Sequence, residues 1–137
     1  MKKYRLKLNE LDGLAKDVLK DFASGVVILR GDLAAGKTTF VKAVSKELGF
    51  AGDVTSPTFS LQQRYGEKLF HYDIYNHGLD HFLSLGMLEE LEREGLHFVE
   101  WGDEKLVSLL VNAGLNVMTI DMEKLKNNER EYSVCIR

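Results

Sequence analysis

The chain holds one cysteine, Cys135, and one proline, Pro57, among 137 residues. A single thiol cannot close an internal disulfide, so the fold must be held by its core, and nothing around Cys135 in the sequence marks it as a nucleophile. Also lacking is any apolar run long enough to cross a bilayer. Met1-Lys2-Lys3-Tyr4-Arg5 leads into an amphipathic stretch rather than a signal-peptide core, so a cytoplasmic location without membrane contact is the expectation. Basic residues are not in excess: 18 Lys and Arg against 21 Asp and Glu give a net charge of -3. A protein that grips nucleic acid by itself needs a basic footprint, so any RNA is expected to be held indirectly, through a partner. No internal repeat, linker or low-complexity tract appears. With 45% hydrophobic and 28% charged residues, the composition predicts one globular domain over residues 1–137.

What is present is organised around Gly31-Asp32-Leu33-Ala34-Ala35-Gly36-Lys37-Thr38. This is the phosphate-binding pattern of Gly, four residues, then Gly-Lys-Thr. The two glycines let the backbone curl so that successive N–H groups point inward at phosphate oxygens. Lys37 is then expected to reach the β- and γ-phosphates, and Thr38 to offer its hydroxyl to Mg²⁺. The context fits. Val26-Val27-Ile28-Leu29 before the loop reads as a strand buried on both faces, and Phe40, Val41, Val44 and Leu48 after it repeat at helical spacing until Gly49. Strand, loop and helix in that order aim the positive end of the helix dipole at the phosphate.

The remaining chain supplies a scaffold and candidate acids. Lys3–Leu8 alternates as a half-buried strand, and Asn9 is positioned to cap a helix whose stripe is Leu11, Leu14, Ala15, Val18, Leu19 and Phe22. The polar connection after the loop's helix contains Thr55, Ser56 and Thr58, candidates for a segment approaching the γ-phosphate. Thr58–Tyr65 and Lys68–Tyr75 read as an antiparallel hairpin with a two-residue turn at Gly66-Glu67. Leu79–Glu94 reads as one helix with an acidic outer face, and Asp103–Ala113 as another. Leu115–Asp121 and Arg130–Ile136 read as strands paired through Lys126-Asn127-Asn128. The expected architecture is an α/β three-layer fold of the P-loop NTPase type, a mixed parallel and antiparallel central sheet with helices on both faces.

Two carboxylates stand at strand ends. Asp73 closes an aromatic strand, where burial is costly unless a metal or a donor compensates it. Glu100 closes the apolar run Leu96-His97-Phe98-Val99, at the edge where ligands of parallel sheets sit. Both are candidates to hold Mg²⁺ or orient the attacking water. His71, His77 and His81 lie close together, but no cysteine joins them and His77 sits beside Gly78 in a turn, so a zinc site is not expected.

Taken together, Gly31 to Phe40, Ser56-Pro57-Thr58-Phe59, His71-Tyr72-Asp73-Ile74-Tyr75, Leu85-Gly86 and Glu100-Trp101 resemble the bacterial TsaE (YjeE) family in order and spacing. The resemblance implies a small ATPase needed for N6-threonylcarbamoyladenosine in tRNA, with ATP as substrate and Mg²⁺ as cofactor. It implies the proteins TsaD and TsaB as partners, ATP hydrolysis resetting their complex. Carried over, Gly31, Asp32, Leu33, Ala34, Ala35, Gly36, Lys37, Thr38, Thr39 and Thr58 bind nucleotide, Thr38, Asp73 and Glu100 hold the metal, and Lys37, Asp73 and Glu100 are catalytic. Trp101 looks like a packing or partner contact. Two positions depart from the family: Ala34 replaces its usual glycine, and Asn76 replaces an arginine, removing a cation that could stabilise transition-state charge. Slow intrinsic hydrolysis is therefore expected. No arginine lies between Arg64 and Arg93, which leaves no local arginine finger and disfavours the alternative of a small-molecule kinase with an arginine-bearing lid. A guanine-reading Asn-Lys-x-Asp motif is also missing, against a GTPase.

Overall fold

The computed structural model describes residues 1–31, 36–50, 62–75 and 78–137. Seven strands form one sheet: β1 (Lys2–Lys7), β2 (Gly25–Arg30), β3 (Gln62–Tyr65), β4 (Leu69–Asp73), β5 (Leu96–Glu100), β6 (Val117–Lys124) and β7 (Glu129–Ile136). Their spatial order is β1-β7-β6-β2-β5-β4-β3. The middle of the sheet is parallel, with β2 between β5 and β6 and β4 beside β5, while β1, β3 and β7 pair antiparallel at the flanks. A strand flanked on both edges and covered on both faces has no polar side to show, and Val26 to Leu29 are accordingly 0% exposed.

Helices α1 (Leu11–Asp21) and α2 (Lys37–Glu47) cover one face, and α3 (Gly78–Ser84), α4 (Met87–Leu91) and α5 (Glu104–Asn112) the other. The apolar stripe read from the sequence does this work in α1: Leu11, Leu14, Ala15 and Val18 are buried with Phe40, Val41 and Val44 of α2 against Val27 and Leu29. Phe82, Leu91, Leu106 and Leu110 pack on the opposite face with Val26 and Ile28. The three-layer expectation holds. No helix among the described residues is long and apolar enough to cross a membrane.

Four expectations are corrected in detail. Strand β1 ends at Lys7, and Leu8 lies exposed in a short 3-10 turn, Leu8–Glu10, so Asn9 does not open the helix; Glu10 instead reaches back, its Oε1 accepting from Lys7 N–H at 2.8 Å. The β3–β4 turn has three residues rather than two, since Tyr65 pairs with Leu69. Residues 58–61 of that expected strand lie outside the described residues. The single helix over 79–94 is two, broken where Gly86 takes φ 76°, a left-handed conformation that ends α3 and restarts the chain at α4. Last, the C-terminal strands run further than their apolar alternation, to Lys124 and from Glu129, around a turn in which Asn127 and Asn128 take φ 61° and 60°.

Candidate functional site

The residues expected to do chemistry converge where β2, β4 and β5 end, because parallel strands bring their C-terminal ends to one edge. Arg30, the last residue of β2, fixes that edge: Nε and one terminal nitrogen bond Asp121 on β6 at 2.7 and 2.9 Å, and the other bonds Glu104 on α5 at 2.6 Å. Gly31 follows, then Asp32, Leu33, Ala34 and Ala35 of the expected nucleotide set, which lie outside the described residues. Gly36, whose φ of 96° is open to glycine and strained for other residues, leads directly into α2. The first intrahelical bond runs from Phe40 N–H to the Gly36 carbonyl, so the amides of Lys37, Thr38 and Thr39 have no intrahelical carbonyl to bond. Thr39 is exposed on that turn.

Lys37 is 3% exposed. Its ammonium donates to the Gly31 carbonyl at 2.8 Å and lies 3.9 Å above the centre of the Trp101 ring. Trp101 can present that face because it adopts φ 72°, a left-handed conformation costly for a bulky residue, held by its N–H donating to the Leu29 carbonyl at 2.9 Å. Tyr75 backs the indole at 4.6 Å between ring centres. The indole, expected as a packing or partner contact, is thus part of the lysine's own environment.

Thr38 Oγ1 donates to Glu100 Oε2 at 3.0 Å. The same carboxylate oxygen accepts from His71 Nε2–H, a contact between two buried side chains. Behind it, His71 Nδ1 lies 3.1 Å from the Tyr65 hydroxyl, which donates to Gln63 Oε1 at 2.7 Å. Asp73 pairs in register with Glu100 across β4 and β5 and is 7% exposed. Burial pushes its carboxyl above the ordinary range, the Tyr75 N–H at 2.9 Å and the nearby Lys37 charge oppose that, and the neighbouring Glu100 adds to it. Lys37, Thr38, Asp73 and Glu100 are therefore brought together; Thr55, Ser56, Thr58 and Asn76 lie outside the described residues.

The donor set fits Mg²⁺. It is made of hard oxygens, Thr38 Oγ1 and the Asp73 and Glu100 carboxylates, and the cost of holding two carboxylates side by side in a buried edge is what a divalent cation removes. Among the described residues no group of three or more His, Cys, Asp or Glu could hold a metal alone. Mg²⁺ takes one or two carboxylates and completes its shell with phosphate and water. Of the three histidines close in sequence, His77 lies outside the described residues.

Two residues take places that the sequence does not assign them. His71, expected with the other histidines to make an ordinary hydrogen bond or touch a partner, bonds Glu100, and the period of two that puts it on the same face of β4 as Asp73 is the signal for that place. Arg130 of β7 lies across Gly36, its Nε 3.5 Å from where a Cβ on that glycine would stand. No local signal announces it.

Similarity to known proteins agrees with this geometry. The family model described as threonylcarbamoyl adenosine biosynthesis protein TsaE matches residues 6–132. A protein of Treponema pallidum named tRNA threonylcarbamoyladenosine biosynthesis protein TsaE is 38% identical over 112 residues, 80% of each chain. Proteins of the same name from Bacillus subtilis and Rickettsia conorii are 40% and 34% identical, over 56% and 80% of this chain and 49% and 62% of theirs. The matched part thus spans between about half and four fifths of these relatives' lengths. The crystal structure of Bacillus subtilis YdiB aligns with a TM-score of 0.67 at 29% identity, over 97% of this chain and 83% of that one. The match over residues 6–132 places the chain in the TsaE family.

Proposed function

We propose that the protein is a slow, partner-dependent ATPase of tRNA N6-threonylcarbamoyladenosine synthesis, acting in the cytoplasm and resetting a TsaD–TsaB complex by hydrolysing ATP. The observation that carries the reading is the Thr38 hydroxyl bonded to Glu100, which ties the end of the phosphate loop to the acid at the end of β5. A threonine that ligates the nucleotide's cation and a carboxylate beside it are the parts phosphoryl transfer needs on that side.

The chain's own residues divide the work. Backbone amides at the start of α2 and the loop glycines bind the β- and γ-phosphates. Lys37 turns from the Gly31 carbonyl to phosphate oxygens, which give its ammonium charged hydrogen-bond acceptors. Thr38 and Asp73 would hold Mg²⁺, with Glu100 against Thr38. When bound, the cation neutralises charge on the β- and γ-phosphates. Glu100 orients the water through Oε1, since its contacts to Thr38 and His71 both use Oε2. The water oxygen then bonds the γ-phosphorus, the bond from that phosphorus to the β,γ-bridging oxygen breaks, and ADP leaves with its electron pair. The water's proton passes by way of Glu100 to the phosphate product.

Phosphate release from ATP, measured with and without TsaD and TsaB, tests the reading. Turnover that rises with the partners and vanishes in Lys37→Ala supports it. Unchanged hydrolysis in that variant, or transfer of the γ-phosphate to a metabolite instead of water, overturns it.

A further inference from the structure

The flank of the phosphate loop away from the acids is built by a different part of the chain. β5 lies on one side of β2 and ends in Glu100, with β4 and Asp73 beyond it. On the other side lies β6, parallel to β2, so that its C-terminal end and the turn into β7 stand at the same edge of the sheet as the loop. Arg130, the second residue of β7, pairs with Lys124 on one side and Leu6 on the other. Alternation along β7 puts it on the face of Tyr132 and Val134, which pack in the core with α2. There the side chain runs across Gly36, with Cδ and Cζ at 3.8 and 3.9 Å from the position of a Cβ and Nε buried.

This inference rests on the reading of the site as an ATP site. A nucleotide whose γ-phosphate faces Asp73 and Glu100, and whose β-phosphate takes the loop amides, must carry its α-phosphate and ribose past the first turn of α2 toward β6 and β7. A guanidinium at Gly36 meets it there with a fork of donors matched to phosphate oxygens. We propose that Arg130 contacts the bound nucleotide on its nucleoside side, at the α-phosphate and ribose, and so gives the site a cation that the sequence between Arg64 and Arg93 does not supply. Those groups are common to ATP and ADP. The contact therefore strengthens both equally and is a binding contact, distinct from a finger that touches the γ-phosphate in the transition state.

Calorimetric titration with MgADP and with a non-hydrolysable MgATP analogue, on the full chain and its Arg130→Met, Arg130→Lys and Lys37→Ala variants, decides it. Arg130→Met keeps the aliphatic stem on Gly36 and is expected to weaken both nucleotides by the same factor, about tenfold. Arg130→Lys, which restores charge without the fork, recovers part of that loss, and thermal melting of each variant reports its fold. Should Arg130→Met not fold, equal weakening of both nucleotides in a folded Arg130→Lys supports the proposal in its place. Wild-type affinity in Arg130→Met, or in Arg130→Lys where only that variant folds, overturns the proposal. A loss confined to the triphosphate also overturns it, by moving the arginine to the γ end. If Lys37→Ala binds both nucleotides as tightly as wild type, the ATP-site reading itself fails. Weak binding in Lys37→Ala with normal binding in Arg130→Met defeats the arginine assignment alone.

Discussion

Two histidines, His71 on β4 and His97 on β5, are both fully buried, on neighbouring strands and opposite faces of the sheet. Each continues a run of glutamine, tyrosine and histidine. On the face of α3, α4 and α5, Gln62 donates to the Tyr72 hydroxyl at 3.1 Å, that hydroxyl donates to His97 Nδ1 at 2.8 Å, and Nε2–H donates to the Arg93 carbonyl at 2.7 Å. On the other face, Gln63, Tyr65 and His71 end on Glu100, whose same oxygen takes the Thr38 hydroxyl. The first run closes on a backbone carbonyl, a neutral group, and at its other end Gln62 also donates to Glu90 Oε1 at 3.3 Å. A run held at both ends within the protein stiffens the core. The second closes on a carboxylate whose other oxygen takes no bond among the described residues, beside a second carboxylate whose ionisation the fold makes harder. A similar set of side chains serves the core in one place and the site in the other, and the acceptor at its end decides which.

Changing that acceptor gives the largest expected effect. Glu100→Gln keeps the shape and an oxygen for Thr38 or His71 but removes the charge, and should lower phosphate release about 10²- to 10³-fold while the fold persists. Turnover within threefold of wild type would erase the distinction between the two chains. Next comes His97→Ala, which strips Tyr72 and the Arg93 carbonyl of their partner and opens space beside the ring of Phe70, stacked on His97 at 4.3 Å. A loss of about 2–3 kcal/mol in urea unfolding is expected, with turnover per folded molecule unchanged. His71→Gln should do the reverse in kind: kcat down about tenfold through a displaced Glu100, with nucleotide affinity nearly kept, in line with the cost of removing a carboxylate's outer support. Equal effects on kcat from His71→Gln and His97→Ala would show that both act through folding alone.

How far these assignments could be read in advance depended on the range of the signal. The strand, loop and helix around Lys37 were legible because the apolar run, the two glycines and the helical stripe are local and contiguous. Asp73 and Glu100 were legible as strand-end acids for the same reason. That they stand in register, with His71 beside Glu100, depends on β4 and β5 pairing in parallel, and parallel pairing leaves no turn between the strands to announce it. Arg130 reaches Gly36 only because β6 and β7 continue the sheet on the far side of β2. Within α3 and α4 the apolar and acidic periodicity runs through Gly86, and helical spacing outweighed one glycine in the reading; the left-handed turn there carries no other mark. Left-handed Trp101 was invisible too, since only the fold around it holds a bulky residue in that conformation.

The smallest effect is the one that pH should draw out of the neutral chain. Burial of His97 disfavours its charged form and lowers its proton affinity below the ordinary imidazole value, with the Arg93 carbonyl bond partly opposing. A protonated ring would also turn Nδ1 into a donor facing the hydroxyl that now donates to it. The unfolded chain, whose histidine titrates near about 6.5, therefore takes up the proton first. The contribution to stability is complete above that pH and is lost as pH falls through it toward the lower value of the folded state, at no more than about 1.4 kcal/mol per pH unit. Urea unfolding of wild type and His97→Ala at about pH 7.5 and 5.5 isolates the term, because every other titrating group is common to both. The stability gap between the two proteins should narrow at the lower pH. A gap that stays constant would mean that His97 is as comfortable charged as neutral, and the contrast with the chain ending on Glu100 would then lose its electrostatic basis.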